Sequence, residues 1–329
     1  MLNPAVALLL MLGQQLPVPP PTGTGLSSPA SGDTAGYWQQ RVHYRMTARL
    51  LERERRIRAY GTLVYVNNSP DTLREMYFHQ YLNAFRPGSK WSEADQHEGR
   101  VRFQNLEDPD HAYERFTRPL RVNGVEVRAT YPSAPDSTVA RIALPTPLPP
   151  GDSVLVAFDW DARPSTLPRR QGRRGRHWDL AQWYPKVAVY DRGGWEYNAL
   201  QPAGEFYGEF GTYDVTLLVA EDQVLAATGV PVSGDPGWSR VKRGGVERRA
   251  ADAYGAMADR SVPPDGMKAV RFYAENVHHF AWSASADFRY EGGVYARPLP
   301  NTRFQAWDTV SIHVLYQPGD DTTWGGGRV

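Results

Sequence analysis

Apolar residues fall on every second position over much of the chain beyond Gln39. Val42, Tyr44, Met46, Ala48 and Leu50 alternate with polar neighbours, and so do Tyr213, Val215, Leu217 and Val219. Successive side chains of a strand point to opposite faces, so each set lines one face of a β-strand. Residues 57–66 (IRAYGTLVYV) predict a second strand, closed by the turn formers Asn67-Asn68-Ser69-Pro70-Asp71. Residues 75–85 (EMYFHQYLNAF) begin as a strand and leave that pattern near Asn83. Residues 90–114 are polar and acidic and read as an inserted loop. Shorter strands are expected over 120–131 and 139–144, a turn over 145–152 (PTPLPPGD), and a further strand over 153–160 (SVLVAFDW). The sheet resumes over 217–227, and 268–290 holds strands around a short turn. Residues 310–316 (VSIHVLY) read as one isolated apolar strand, as if opening another domain. Many strands with a turn signal every ten or so residues predict a mainly β fold, an antiparallel sandwich or curved sheet pair. No long amphipathic helix and no internal repeat is visible.

One stretch departs from this rhythm. Residues 182–229 read QWYPKVAVYDRGGWEYNALQPAGEFYGEFGTYDVTLLVAEDQVLAATG. Its first part sets Trp, Tyr and Phe among Gly and Pro with no helical period. It predicts a shaped aromatic loop surface on a sheet, and loops held on rigid scaffolds are where sites gather.

Composition narrows the function classes. At 329 residues with 41% hydrophobic content, the chain can bury a sizeable core. A net charge of +1 argues against nucleic acid as a partner, because phosphate binding needs a basic excess. The absence of cysteine rules out disulfides, thiolate zinc ligands and thiol catalysis. Residues 5–13 (AVALLLMLG) are far short of the ~20 apolar residues that span a bilayer, so no membrane span is expected. The run suits the apolar region of a secretory signal over 1–15, although a basic start and an A-x-A cleavage site are missing. Residues 16–35 are rich in Pro, Gly and Ser and read as a linker. Export to the periplasm or beyond is the expected location.

Self-contained catalysis finds no support. G-x-S-x-G, a P-loop, a dinucleotide fingerprint and H-E-x-x-H are all absent. His278 and His279 are adjacent, so on a strand they would point to opposite faces, a poor start for one metal. Glu107, Asp108, Asp110, His111 and Glu114 form an acidic cluster, a hard-cation site or a solvated loop. The basic run over 169–177 (RRQGRRGRH) is a phosphate or acidic-surface contact, or again a solvated loop. Trp178, Trp183, Tyr184, Tyr190 and Trp195 fit either a sugar-stacking platform or an interface cluster.

Five separate blocks resemble one known family. They are YGTLVYVNNSPDTL at 60–73, YFHQYLNAF at 77–85, LPTPLPPGD at 144–152, the segments 182–195, 204–215 and 227–229 taken together, and FAWSAS at 280–285. In order and spacing they resemble the N-terminal domain of the aminopeptidase N and leukotriene hydrolase family of zinc metallopeptidases, in a bacterial branch.

That resemblance implies a saddle-shaped, mostly antiparallel β domain over residues 36–295. It implies the first strand of a following α/β, thermolysin-like catalytic domain over 296–329. The second domain would carry H-E-x-x-H, bind the zinc and hydrolyse peptides next to the free amino end. This chain would then hold neither catalytic residues nor metal. Its partners would be the catalytic domain of the same polypeptide and the peptide substrate. The family's Q-x-Q-A loop, which edges the pocket for the first substrate residue, corresponds to Gln182, Trp183, Tyr184 and Pro185. Here a phenol and a proline replace the second Gln and the Ala, leaving the Tyr184 hydroxyl as the donor to substrate. A stand-alone carbohydrate- or partner-binding module is the alternative.

Overall fold

The computed structural model describes residues 37–167, 170–203, 205–241, 266–298 and 307–320. The expected signal and linker over 1–35 lie outside them. The chain divides into Met1–Tyr37 and Trp38–Val329, and every element below lies in the second unit.

Among the described residues twenty strands follow in chain order. They are β1 (Arg41–Leu51), β2 (Arg56–Val66), β3 (Leu73–His79), β4 (Tyr113–Phe116), β5 (Leu120–Val122), β6 (Val125–Val127) and β7 (Val139–Leu148). Next come β8 (Ser153–Arg163), β9 (Gln171–Arg174), β10 (His177–Leu180), β11 (Lys186–Val187), β12 (Val189–Asp191), β13 (Gly194–Glu196) and β14 (Gly211–Ala220). The last are β15 (Val224–Ala227), β16 (Val230–Ser233), β17 (Met267–Val277), β18 (Trp282–Ser285), β19 (Arg289–Pro298) and β20 (Trp307–Tyr316). The helices are short, α1 (Lys90–His97) and α2 (Trp238–Val241), with a 3-10 turn at Tyr81–Ala84. Among the described residues no helix is long and apolar enough to cross a membrane.

The alternation in the sequence explains the large sheet, whose path is β16-β17-β14-β1-β2-β8-β5-β6 with β4 also on β8. Its registers keep apolar positions in phase. Tyr44 pairs with Tyr213 and Leu63, Ala48 with Leu217 and Ala59. Farther out, Leu63 pairs with Val156 and Val215 with Phe272. All of these side chains are buried, so the central strands present one continuous apolar face. A one-residue slip of any strand would turn its whole set to water. The β1–β14 pair is parallel, within a sheet whose other pairs are antiparallel. Gly61 marks a close crossing of β2 on β1: a Cβ there would lie 2.7 Å from the Arg45 carbonyl oxygen.

Two smaller sheets, β11-β3-β7 and β15-β18-β10-β9, cover that face. Phe78 and Ile142 from one, and Trp178 and Trp282 from the other, share a single core with the large sheet. The result is a mainly β, sandwich-like domain with little helix, as the strand pattern predicts.

Three expectations change. Residues 90–114 are no plain loop: they contain α1, capped by the Ser89 hydroxyl, which accepts from Ser92 N at 3.0 Å, and the start of β4. Residues 217–227 belong to two strands in different sheets, β14 and β15. Residues 310–316 are not isolated, since β20 pairs with β19 from Arg289↔Tyr316 to Pro298↔Trp307. Their partner precedes them, beyond the reach of a local pattern.

One end of the β19–β20 ribbon is anchored on a small aromatic cluster. Tyr290 stacks on Trp238 with centroids 5.3 Å apart, and Phe288 and Leu315 close that small cluster. At the other end Val294, Tyr295 and Val310 are more than half exposed. Tyr295 pairs with Val310 and Val294 is the next residue along, so the two faces of the ribbon both show apolar groups. A two-stranded ribbon is marginal alone, and its bare end is a surface to be covered. We expect the chain to bind hydrophobic dyes or self-associate, and V294T/Y295T/V310T to reduce both. A monodisperse chain in sedimentation, with no dye fluorescence, would count against this surface.

Candidate functional site

Gln182 to Lys186 is a loop pulled into the core by its own aromatic side chains. Trp183 is fully buried: its indole N–H donates to the Phe280 carbonyl at 3.1 Å, and its carbonyl accepts from Trp160 Nε1 at 3.0 Å. Tyr184 is equally buried and donates to the Tyr213 hydroxyl at 3.0 Å. Tyr44 stacks face to face on Tyr213 at 5.3 Å and meets Tyr184 edge-on at 5.3 Å. Its hydroxyl accepts from Val187 N at 2.8 Å. Burying three phenols is tolerable because each finds a partner. Burial also drives the Tyr44 and Tyr184 hydroxyls well above their ordinary pKa, so both stay neutral.

All four residues expected to touch substrate are buried, Gln182 among them at 6% exposure. The Tyr184 hydroxyl expected to serve a substrate serves Tyr213 instead. Gln182 differs. It holds φ at +53°, a left-handed conformation costly for a non-glycine residue, and its buried Oε1 has no hydrogen-bond partner. A left-handed backbone and an unpartnered buried acceptor at one residue single it out within the loop.

The loop continues into Lys186, which pattern reading passed over. Lys186 is 1% exposed, and its amine donates to the His278 carbonyl and lies 3.3–3.4 Å from both His279 ring nitrogens. Gly208 lets the backbone pass over that amine, where any Cβ would collide with Nζ. Burial brings the Lys186 pKa down to about 7, and burial raises the neighbouring Glu209 carboxyl to about 7. Burial likewise lowers His79 to about 4 and His279 to about 2, so both rings are neutral at physiological pH. His278 and His279 lie just past β17 with ring centroids 4.4 Å apart, so the expected opposition across a strand does not apply. The one visible signal was a lone lysine in the run Pro185-Lys186-Val187-Ala188-Val189.

Around this dry cluster the surface is aromatic. Tyr197, Tyr207 and Phe210 are about half exposed, Tyr197 stacking on Tyr77 at 4.5 Å and Phe210 packing on His278 at 5.5 Å. Phe206 meets both Tyr81 and His279 edge-on. Of the set read as a sugar platform or an interface, Trp178 and Trp183 are core residues, while Tyr190 and Trp195 are half-buried. The arrangement offers a shaped apolar surface with a strained amide behind it.

The other candidates resolve into ion pairs. Asp108 pairs with Arg163, Asp110 with Arg173, and Arg170 with Glu205. Arg176 bridges Glu52 and Asp222. Among the described residues no three His, Cys, Asp or Glu side chains are grouped as a metal site.

No family model matches the sequence, and no curated protein matches it. Solved structures do. A two-domain M1 zinc metallopeptidase mutant bound to L-tryptophan is similar at 13% identity and TM-score 0.46, covering 86% of this chain and 49% of that one. An M1 zinc metallopeptidase from Deinococcus radiodurans is similar at 13% identity and TM-score 0.45, covering 85% and 47%. The chain spans about half the length of these structures. A likeness this distant does not extend to activity, metal or substrate.

The buried cluster predicts a pH profile. Lys186 is protonated in the unfolded chain up to about pH 10.4 but folded only up to about 7. The unfolded chain binds the extra proton between those values, so stability rises with pH across that window. Lys268, lowered to about 8 by burial, acts in the same direction. Glu209 acts oppositely: its contribution is full below about pH 4.3 and is lost as pH rises through about 7. The two lowered histidines lose stability as pH falls below about 6.5. Urea denaturation should show stability climbing from pH 7 to 10, and Lys186→Met should remove the larger part of the climb. An unchanged slope in that variant would refute the assignment.

Proposed function

We propose that this chain is the substrate-flanking, non-catalytic β domain of an exported zinc aminopeptidase. In this reading the metal and the water-activating Glu sit on a catalytic domain of the same polypeptide, and the substrate is a peptide held by its amino end. The protein would work in the periplasm or outside the cell. Gln182 would edge the pocket of the first substrate residue with its unpartnered amide oxygen, an acceptor suited to an ammonium or amide N–H. Trp183, Tyr184 and Pro185 would fix that amide in place.

The observation that carries the reading is a convergence. Two blocks far apart in sequence, the one holding 182–191 and 205–215 and the one at 280–285, meet around Lys186 through Trp183, Tyr213, Gly208 and Phe280. They share one packed core around Lys186, and the exposed apolar groups Val294, Tyr295 and Val310 support a neighbouring body. A stand-alone carbohydrate-binding module is favoured only by the exposed Tyr197–Tyr77 stack. Mobility shifts in polysaccharide gels that vanish in Tyr197→Ala would select it.

The test is the complete reading frame. The frame should encode H-E-x-x-H, and the zinc-loaded product should release amino-terminal residues from peptides. Gln182→Ala should raise KM about tenfold with kcat less affected, the loss of one positioning hydrogen bond. A frame without the zinc motif would sink the proposal.

A further inference from the structure

A second concavity lies away from the Lys186 cluster, between β4, the end of β8 and the segment after the Tyr81–Ala84 turn. It encloses about 380 Å³, the size of a small-molecule pocket. Three guanidinium groups line it, those of Arg86, Arg115 and Arg163. Arg163 is nearly buried, held by Asp108 and by the His111 carbonyl, to which its Nε donates at 3.1 Å. The Tyr113 ring takes both Arg163, at 4.6 Å, and Arg115, at 4.9 Å. Arg86 and Arg115 make no ion pair among the described residues. Asp108 is therefore the one carboxylate that answers three cations. The other carboxyl lining the pocket, Glu114, is 1% exposed, and burial, against a backbone hydrogen bond from Leu82, lifts its pKa well above the carboxylate range, which favours its neutral form. Burial also lowers His111, which leaves that ring uncharged at neutral pH. Ser137 and Tyr131 add polar lining.

Like charges gathered around one cavity oppose folding unless something answers them. Planar guanidinium forks match the paired oxygens of phosphate and carboxylate. We propose that this pocket binds a small organic oxyanion, a phosphate or carboxylate group carried on a hydroxylated body. The guanidinium groups of Arg86 and Arg115 clasp the anion, Arg163 supplies the buried charge, and the polar wall takes the hydroxyl groups. The site is independent of the proposed peptidase role.

Calorimetric titration of the whole chain with inorganic phosphate, glucose 6-phosphate and citrate, at constant ionic strength, tests it. Saturable binding of at least one is expected, weakened about tenfold or more by Arg86→Ala and by Arg115→Ala. Arg74→Ala, an exposed arginine outside the pocket, should leave binding intact. Stronger binding of glucose 6-phosphate than of phosphate assigns the hydroxylated body, and a preference for citrate assigns the carboxylate source. No saturable binding of any probe, or equal weakening by Arg74→Ala, overturns the proposal.

Discussion

The candidate site depends on how the Gln182 loop is fastened. Irregular backbone inside a core is costly, because each N–H and C=O taken from water needs a partner. Here aromatic residues supply the partners while they are being buried. Trp160 satisfies the Trp183 carbonyl, Tyr44 satisfies the Val187 amide, and Trp183 satisfies the Phe280 carbonyl. Each ring contributes apolar burial worth roughly 1.5–3 kcal/mol or more beside its hydrogen bond. That combination holds Gln182 in a left-handed conformation against a cost of about 1–3 kcal/mol.

The same economy of partners governs Lys186. A buried amine facing the His279 ring and the His278 carbonyl is stable when neutral, so burial selects the form that the core tolerates. Glu209 is pushed toward its neutral form for the same reason. The cluster therefore packs as polar but nearly uncharged matter between the loop, the Gly208 backbone and the end of β17.

Legibility in the sequence followed burial. Strands β1, β2, β8 and β14 carry one buried and one wetter face over much of their length, and period-two reading located them. Strand β3 is buried on both faces over Met76–His79, so its apolar run shows no alternation and only its start was clear. Strands β9 to β13 are two to four residues long, too short for any period. Helix α1 buries Trp91, Ser92 and Asp95, a face with two polar members that reads as loop. At the site, the aromatic stretch is legible, yet Trp183 and Tyr184 face inward. Lys186, Glu209 and Gly208 were not legible, because a lysine's burial is decided by residues 278 and 279 folding back on it. Likewise the pairing of β20 with β19 spans a segment no local window covers.

A short buried stretch ties the two polar sites together. His79 ends β3 and stacks on Tyr81 at 4.6 Å, and Tyr81 reaches Phe206 and His279 beside Lys186. Two residues on, the Asn83 side chain accepts from Glu114 N at 2.8 Å and donates to the Glu114 carbonyl at 2.7 Å, bracing the strand that lines the arginine pocket. Tyr81, Leu82, Asn83 and Ala84 are all buried, so this tight turn cannot shift without disturbing packing on both sides. The two sites differ in what they leave open. Around Lys186 burial pulls the amine and the Glu209 carboxyl toward their neutral forms, and the outer surface is aromatic. Around Arg163 the charges are retained and the cavity is polar, which favours a small anion. One rigid support thus carries two surfaces of opposite chemistry, and a ligand at either would meet a preorganised wall.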